Sequence, residues 1–354
     1  MYLSKSTSLI LDILRLSAAL TVAFFHCFLL MFTKHNSTIS FFSDLAHFSV
    51  IIFFVLSGYL IGYTTTNNNR GLKKYLIARF SRLYSVLIPV LIIMFIIEKL
   101  IGIINYTSIL GISRGMTLIR YIMSGFFLNE IWFLSAAPPI NAPLWSLSFE
   151  FWFYLIFGLW FFRQKKNWIH TLLFIIAVLI AGPKILSLFP IWIFGMLAFK
   201  LPKLKIKGYI LIIYLTLILS LSFLVLFKMP ALPFEIGTKP LYFAGQFIKD
   251  WTLGLLLGVF FWLLPLSSTK QESSTLVVKF RKLADLTYTI YLIHLPILYL
   301  IIQVININDI NIFQFFIYSG IILISSGSLG YLLESKRNFW NLLFEKIFSK
   351  LKFI

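Results

Sequence analysis

Apolar runs, each about as long as a membrane is thick, follow one another along almost the whole chain, parted by short polar connections. A helix rises 1.5 Å per residue, so roughly 20 apolar residues cross a ~30 Å hydrocarbon core. Ten such segments are predicted: Ser8–Phe32, Phe42–Thr65, Leu83–Ile104, Leu144–Phe162, Trp168–Ala181, Ile185–Phe199, Tyr209–Phe227, Trp251–Leu266, Leu283–Val304 and Ile312–Leu333. Only Gly182, Pro183 and Lys184 part the fifth from the sixth. The stretch Leu118–Leu134 is apolar but short, and Asn129 and Glu130 interrupt it, which predicts an interfacial or re-entrant piece. The expected fold class is an all-α integral membrane protein, a polytopic bundle of about ten transmembrane helices forming a single domain over residues 1–354.

Composition sharpens this reading. Hydrophobic residues make up 60% of the chain and charged ones 12%, against roughly 25% charged in soluble domains. A soluble core grows too slowly with size to hide so much apolar surface. The net charge of +19 would suggest nucleic acid in a soluble protein, but here the basic residues cluster between spans, and the positive-inside rule accounts for them. With the N-terminus in the cytoplasm, 22 of the 31 Lys and Arg fall on the inner side. They are Lys5; Arg70, Lys73, Lys74, Arg79 and Arg82; Arg163, Lys165 and Lys166; Lys200, Lys203, Lys205 and Lys207; Lys270, Lys279, Arg281 and Lys282; and a tail with Lys336, Arg337, Lys346, Lys350 and Lys352. Eight fall outside: Lys34, Lys99, Arg114, Arg120, Lys184, Lys228, Lys239 and Lys249. The alternation predicts that both termini are cytoplasmic. The single cysteine, Cys27, excludes an internal disulfide framework. The apolar stretch after Lys5 is too long for a cleavable signal and reads as the first span.

Arg15 is the remaining basic residue, and it lies within a span. A charge in hydrocarbon costs roughly 2.5–3.5 kcal/mol on insertion scales, so such residues are functional candidates. Arg15 and His26 are eleven residues apart, about 20° from three full turns, so they share one helical face. They stand about 16 Å apart along the axis, Arg15 nearer the cytoplasm. Asp12 is placed to pair with Arg15; alternatively both snorkel to the interface while His26 bonds a neighbouring helix. His35, His47 and His170 lie near span ends and read as interfacial, Cys27 as a small packing residue, and Ser57 and Gly58 as a site of close helix approach. The histidines and carboxylates show no metal-ligand spacing, and the glycines no phosphate-loop pattern.

Several stretches together resemble the acyltransferase-3 family of membrane-bound O-acyltransferases. Leu11–His26 (LDILRLSAALTVAFFH) is similar to its opening, a basic residue and a histidine with ten positions between. Phe53–Ile61 (FFVLSGYLI) resembles its FFxxSGFLI signature, and Arg79 and Arg82 in ARFSRLYSVLIP resemble its arginine-rich entry into the third span. Trp145–Tyr154 (WSLSFEFWFY) and Thr287–Pro296 (TYTIYLIHLP) are similar to two later motifs, in family order. Glu334 sits where relatives often carry Glu-Pro, but Ser335 follows it here. The resemblance implies a bacterial inner-membrane enzyme; unlike in longer relatives, no esterase-like domain is expected after Ile354. Its donor would be acyl-CoA, usually acetyl-CoA, with no permanently bound cofactor. Its acceptor would be an envelope polysaccharide or lipid-linked glycan.

Acyl transfer to a sugar hydroxyl needs a base and stabilisation of developing negative charge. Imidazole, with an unperturbed pKa of about 6.5, suits the base, and His26 is assigned that role. Arg79 and Arg82, three apart on one helical face at the cytoplasmic mouth, suit the donor's phosphates, though clustered basic residues also anchor a helix to the inner interface. Arg15 would hold or polarise the donor. Glu150 would orient His26, bind the acceptor, or pair with a basic residue on another span. Trp145, Tyr291 and His294 are candidate acceptor contacts, with packing or a helix-to-helix hydrogen bond as the alternative for each. A transporter or flippase using the Arg15/His26 face is the rival reading, and the absence of repeat-related halves weighs against it.

Overall fold

The computed structural model describes residues 2–32, 36–67, 71–105, 115–163, 168–204, 206, 208–269, 275–305 and 310–350. Lys34, His35, Arg70, Arg114, Lys165, Lys166, Lys205, Lys207, Lys270 and Lys352 lie outside these residues. The described chain is helical almost throughout: α1 (Lys5–Met31), α2 (Asn36–Asn67), α3 (Gly71–Ile104), α4 (Thr117–Gly125), α5 (Leu144–Phe161), α6 (Trp168–Lys200), α7 (Tyr209–Lys228), α8 (Phe247–Leu263), α9 (Thr275–Ile305), α10 (Ile312–Glu334) and α11 (Arg337–Ser349). Two short strands, β1 (Tyr2–Leu3) and β2 (Leu266–Ser267), pair antiparallel.

Among the described residues, eight helices are long and apolar enough to cross a membrane: α1, α2, α3, α5, α6, α7, α9 and α10. α6 is broken at Gly182 (φ 75°, ψ 178°), so it is two apolar helices joined end to end. Counting its halves separately and adding the 17-residue apolar α8 accounts for all ten anticipated segments. The all-α polytopic membrane fold stands.

Three expectations change. α3 starts at Gly71 rather than Leu83, and α9 at Thr275 rather than Leu283. Lys73, Lys74, Arg79, Arg82, Lys279, Arg281 and Lys282 therefore sit on helices, not in loops. The helical period continues through the charged turns, where Leu72, Tyr75 and Leu76 are buried. The expected C-terminal tail is largely a helix, α11, with Trp340, Phe344 and Phe348 on one face. His47 and His170 are both buried within the protein; α2 begins at Asn36, well before Phe42, which puts His47 three turns in from its start.

The chain divides into two compact units that interleave in sequence. The first contains Met1–Val22, Ser40–Asn69 and Leu186–Asp285. Its centre is a close crossing of α2 with the second half of α6. A Cβ on Gly58 would fall 1.9 Å from the Trp192 carbonyl oxygen, and one on Gly195 would fall 1.9 Å from that of Val55. Each helix thus supplies the gap the other's backbone fills. Trp192 Nε1 donates to Ser57 Oγ at 3.2 Å, so the serine serves this joint. His47 Nε2 lies 3.1 Å from Asp250 Oδ1, and Gln246 Nε2 donates to the same carboxylate oxygen. Asp12 faces Arg281 at 3.9 Å. Arg15 is half-buried on α1, in this unit.

The second unit contains Ala23–Ile39, Arg70–Ile185 and Leu286–Ile354. α3 is its spine, packing against α4, α5, α10 and α11. On its charged end Phe80 meets Phe344 and Phe348, while Tyr84 meets Trp340 and Phe344, at ring-centroid distances of 5.4–6.2 Å. Cys27 packs with Met31, Leu295, Leu298, Phe315 and Ile322, in keeping with a packing role. The predicted interfacial piece is the short helix α4 followed by turns, with Met116, Leu118, Ile119, Ile122 and Phe126 exposed. Glu130 and Lys184, each fully buried, form an ion pair of 2.5 Å. Lys184 also donates to the Leu134 carbonyl, and Trp132 N–H donates to the Ala181 carbonyl at 3.1 Å. The break at Gly182 is thereby tied to residues 130–134. Burial raises the Glu130 carboxyl from its ordinary 4.5 to about 7, against the pull of the Lys184 ammonium.

Candidate active site

α1 presents His26, and α9 presents His294 opposite it; His26 Nδ1 lies 3.0 Å from His294 Nε2. The two rings are tilted by 32° with centroids 5.1 Å apart. His294 is fully buried, whereas His26 is half-buried. His294 Nδ1 lies 3.0 Å from the Ile290 carbonyl of its own helix. A carbonyl only accepts, so this nitrogen carries the proton.

The placement of His294 rests on Pro296. A proline in a helix has no N–H to give the carbonyl four residues earlier, here that of Leu292. Asn141 Nδ2 donates to that carbonyl at 2.7 Å and also lies 3.3 Å from Met94 Sδ. Asn141 is fully buried. The turn that carries His294 is held from outside at the point where its own ladder is interrupted. Sequence reasoning missed Asn141; the signal that could have found it is a proline inside a span, which demands a donor from elsewhere.

One turn earlier on α9, Tyr291 Oη lies 2.8 Å from Ser146 Oγ and donates to the Pro143 carbonyl at 3.1 Å. Its ring centroid is 6.3 Å from that of His294. Trp145 is buried, edge-on to Phe149 at 5.1 Å, a packing position.

Around Tyr288, six residues and about 9 Å before His294 on α9, lies a charged cluster. The Arg82 guanidinium is within electrostatic reach of Glu150, Tyr154, Tyr288 and Glu334. Glu150 accepts a short hydrogen bond from Tyr154 Oη. Arg79 stands over the Tyr75 and Tyr154 rings, 6.0 and 5.8 Å from their centroids, within reach of cation–π attraction. Tyr75 Oη donates to the Tyr154 carbonyl at 3.1 Å. The Arg79 Nε–H is buried with no acceptor among the described residues, which suits an anionic ligand more than a closed structural pair.

The structure thus brings His26, His294 and Tyr291 together, and separately Arg79, Arg82 and Glu150, along one stretch of α9 in the second unit. Glu150 meets Tyr154 and the arginine cluster, while His26 meets His294 and the Phe25 ring. Arg15 is carried by the same uninterrupted helix as His26, in the first unit. Glu334, despite lacking its proline, falls within reach of Arg82.

No solved structure matches the chain. Among curated proteins it is similar to the peptidoglycan O-acetyltransferase OatA of Listeria monocytogenes, 34% identical over 135 residues, 33% of this chain and 20% of that protein. It is also similar to the acyltransferase MdmB of Streptomyces mycarofaciens, 28% identical over 156 residues, 42% of this chain and 38% of the relative. The chain thus spans well under half the length of either. The family model described as an acyltransferase domain matches residues 9–332. By that match over most of its length, this membrane protein belongs to the acyltransferase-3 family.

Proposed function

We propose that the protein transfers an acyl group, most simply acetyl, from cytoplasmic acyl-CoA to a hydroxyl of an envelope carbohydrate at the bacterial inner membrane. The observation that carries this reading is the half-buried His26 imidazole, hydrogen-bonded to His294 in the unit that also holds the Arg79/Arg82 cluster. The similarity to a peptidoglycan O-acetyltransferase supports a glycan acceptor.

In this mechanism the imidazole of His26 takes the proton of the acceptor hydroxyl as its oxygen attacks the thioester carbonyl. The carbon–sulfur bond breaks, and the departing CoA thiolate receives that proton. Arg79 and Arg82 bind donor phosphates by charge-assisted hydrogen bonds. Glu150 and Tyr154 orient the guanidinium groups, and Tyr291 stands on the acceptor side.

The test uses membranes containing the full chain, supplied with radiolabelled acetyl-CoA. Label should enter the glycan fraction with the native protein and fall by at least about 10²-fold with His26→Ala at equal protein level. Glycan labelling that is the same with or without the native protein would favour the transport reading instead.

A further inference from the structure

The Nδ1–H of His294 points at the Ile290 carbonyl, and this single contact has consequences for the neighbouring ring. A neutral imidazole has one N–H and one lone pair, so His294 with its proton on Nδ1 keeps the lone pair on Nε2. That nitrogen lies 3.0 Å from His26 Nδ1. Two lone pairs cannot share a hydrogen bond, so His26 must bring the proton. His26 then carries N–H on Nδ1 and its lone pair on Nε2.

We propose that His294 is a positioning residue that holds His26 in the Nδ1–H tautomer, so that Nε2 is the nitrogen that takes the acceptor's proton. The chain of donors runs from His26 Nδ1–H to His294 Nε2, and from His294 Nδ1–H to the Ile290 carbonyl. It performs the orienting work that a carboxylate performs in a Ser-His-Asp triad. The anchor is the backbone of α9, in the turn that Asn141 secures through the Leu292 carbonyl. When His26 Nε2 accepts a proton, its Nδ1–H still donates to His294, so the ring does not turn during the cycle. The proton leaves from Nε2 to the CoA thiolate, which restores the starting tautomer.

The inference rests on His26 being the base, and its test separates the two ideas. Ring-15N histidine labelling of the full-length protein in detergent micelles reports the tautomer without any need for activity. His26→Ala and His294→Leu identify the two resonances. At a pH where both rings are neutral, both should show a protonated Nδ1, the less common form of free histidine. In His294→Leu, His26 should revert to the Nε2–H form. In the radiolabelled acetyl-CoA assay, His294→Leu should lower kcat by about 10²-fold with KM for acetyl-CoA changed less than about twofold. His294→Gln, whose amide oxygen accepts from His26 Nδ1, should restore most of that loss. A native His26 in the Nε2–H form, equal loss in the Leu and Gln variants, or native kcat in His294→Leu would each overturn the proposal. Full activity of His26→Ala would remove the base reading itself, while the NMR result would still report whether His294 sets the tautomer.

Discussion

Replacing Lys184 by methionine isolates the energetics of the buried pair at the break in α6. Lys184 and Glu130 are both fully buried and 2.5 Å apart. Methionine preserves much of the side-chain volume but leaves the Glu130 carboxylate without its cation. Removing one partner of a buried pair costs about 3–5 kcal/mol. The Glu130 carboxyl can shed this cost by taking a proton. Its pKa in the folded protein is already about 7 against an ordinary 4.5, and loss of the Lys184 attraction moves it further up. A folded-state pKa above the unfolded one means that the native state binds more protons between the two values. Stability contributed by Glu130 is therefore full below 4.5 and lost as pH rises through the folded pKa. A shift of that size corresponds to about 3 kcal/mol. Lys184→Met should lower the thermal midpoint in detergent markedly at pH 8 and much less at pH 5.5, followed by fluorescence-detected size exclusion. Glu130→Gln in the same background should recover most of the loss at pH 8. Equal destabilisation at both pH values, or no recovery by Glu130→Gln, would refute the reasoning.

Asn141→Leu orphans the Leu292 carbonyl, which should cost about 1–3 kcal/mol of stability and lower acyl transfer with it; unchanged midpoint and turnover would contradict the role given to Pro296. Gly58→Leu drives a side chain into the Trp192 backbone, and the helices cannot separate without losing the Ser57–Trp192 contact. Overpacking costs about 1–3 kcal/mol or more, so accumulation in membranes should drop, and Gly195→Leu should behave alike. Arg79→Ala removes a charge-assisted contact worth about 1.5–3 kcal/mol, which should raise KM for acetyl-CoA roughly tenfold or more in the radiolabel assay while leaving the thermal midpoint near native. Phe344→Ala strips the cover from Phe80 and Tyr84 and, at a half-buried ring, should cost about 1.5–3 kcal/mol, read as a lowered midpoint.

The spans were legible because hydrocarbon imposes a length and a polarity that each segment must meet alone. His26, Arg79, Arg82 and Glu150 were nominated by local motifs, and the structure sets His26 beside His294 and gathers the other three around Tyr154. What escaped was pairing at a distance. His47 with Asp250 and Glu130 with Lys184 join residues more than fifty positions apart, and nothing periodic in the chain marks them. His294 stood out as a histidine in a span, but its meeting with His26 depends on how α1 and α9 approach. α11 was hidden for a different reason: Lys336, Arg337, Lys346 and Lys350 mask its apolar face in a hydropathy reading, although Trp340, Phe344 and Phe348 recur at the spacing of a buried stripe. The charged start of α3 was concealed in the same way.

A helix proline is commonly met as an interruption, yet Pro296 hands one carbonyl of α9 to a side chain from a distant segment. Two neighbouring peptide groups, Ile290 and Leu292, thus serve as fixed anchors for a histidine and an asparagine. Geometry anchored on amide dipoles carries no net charge, so dissolved ions have little to screen. The alignment of the imidazole pair should therefore persist from dilute buffer to molar salt, even where donor affinity, governed by guanidinium and phosphate, weakens steeply.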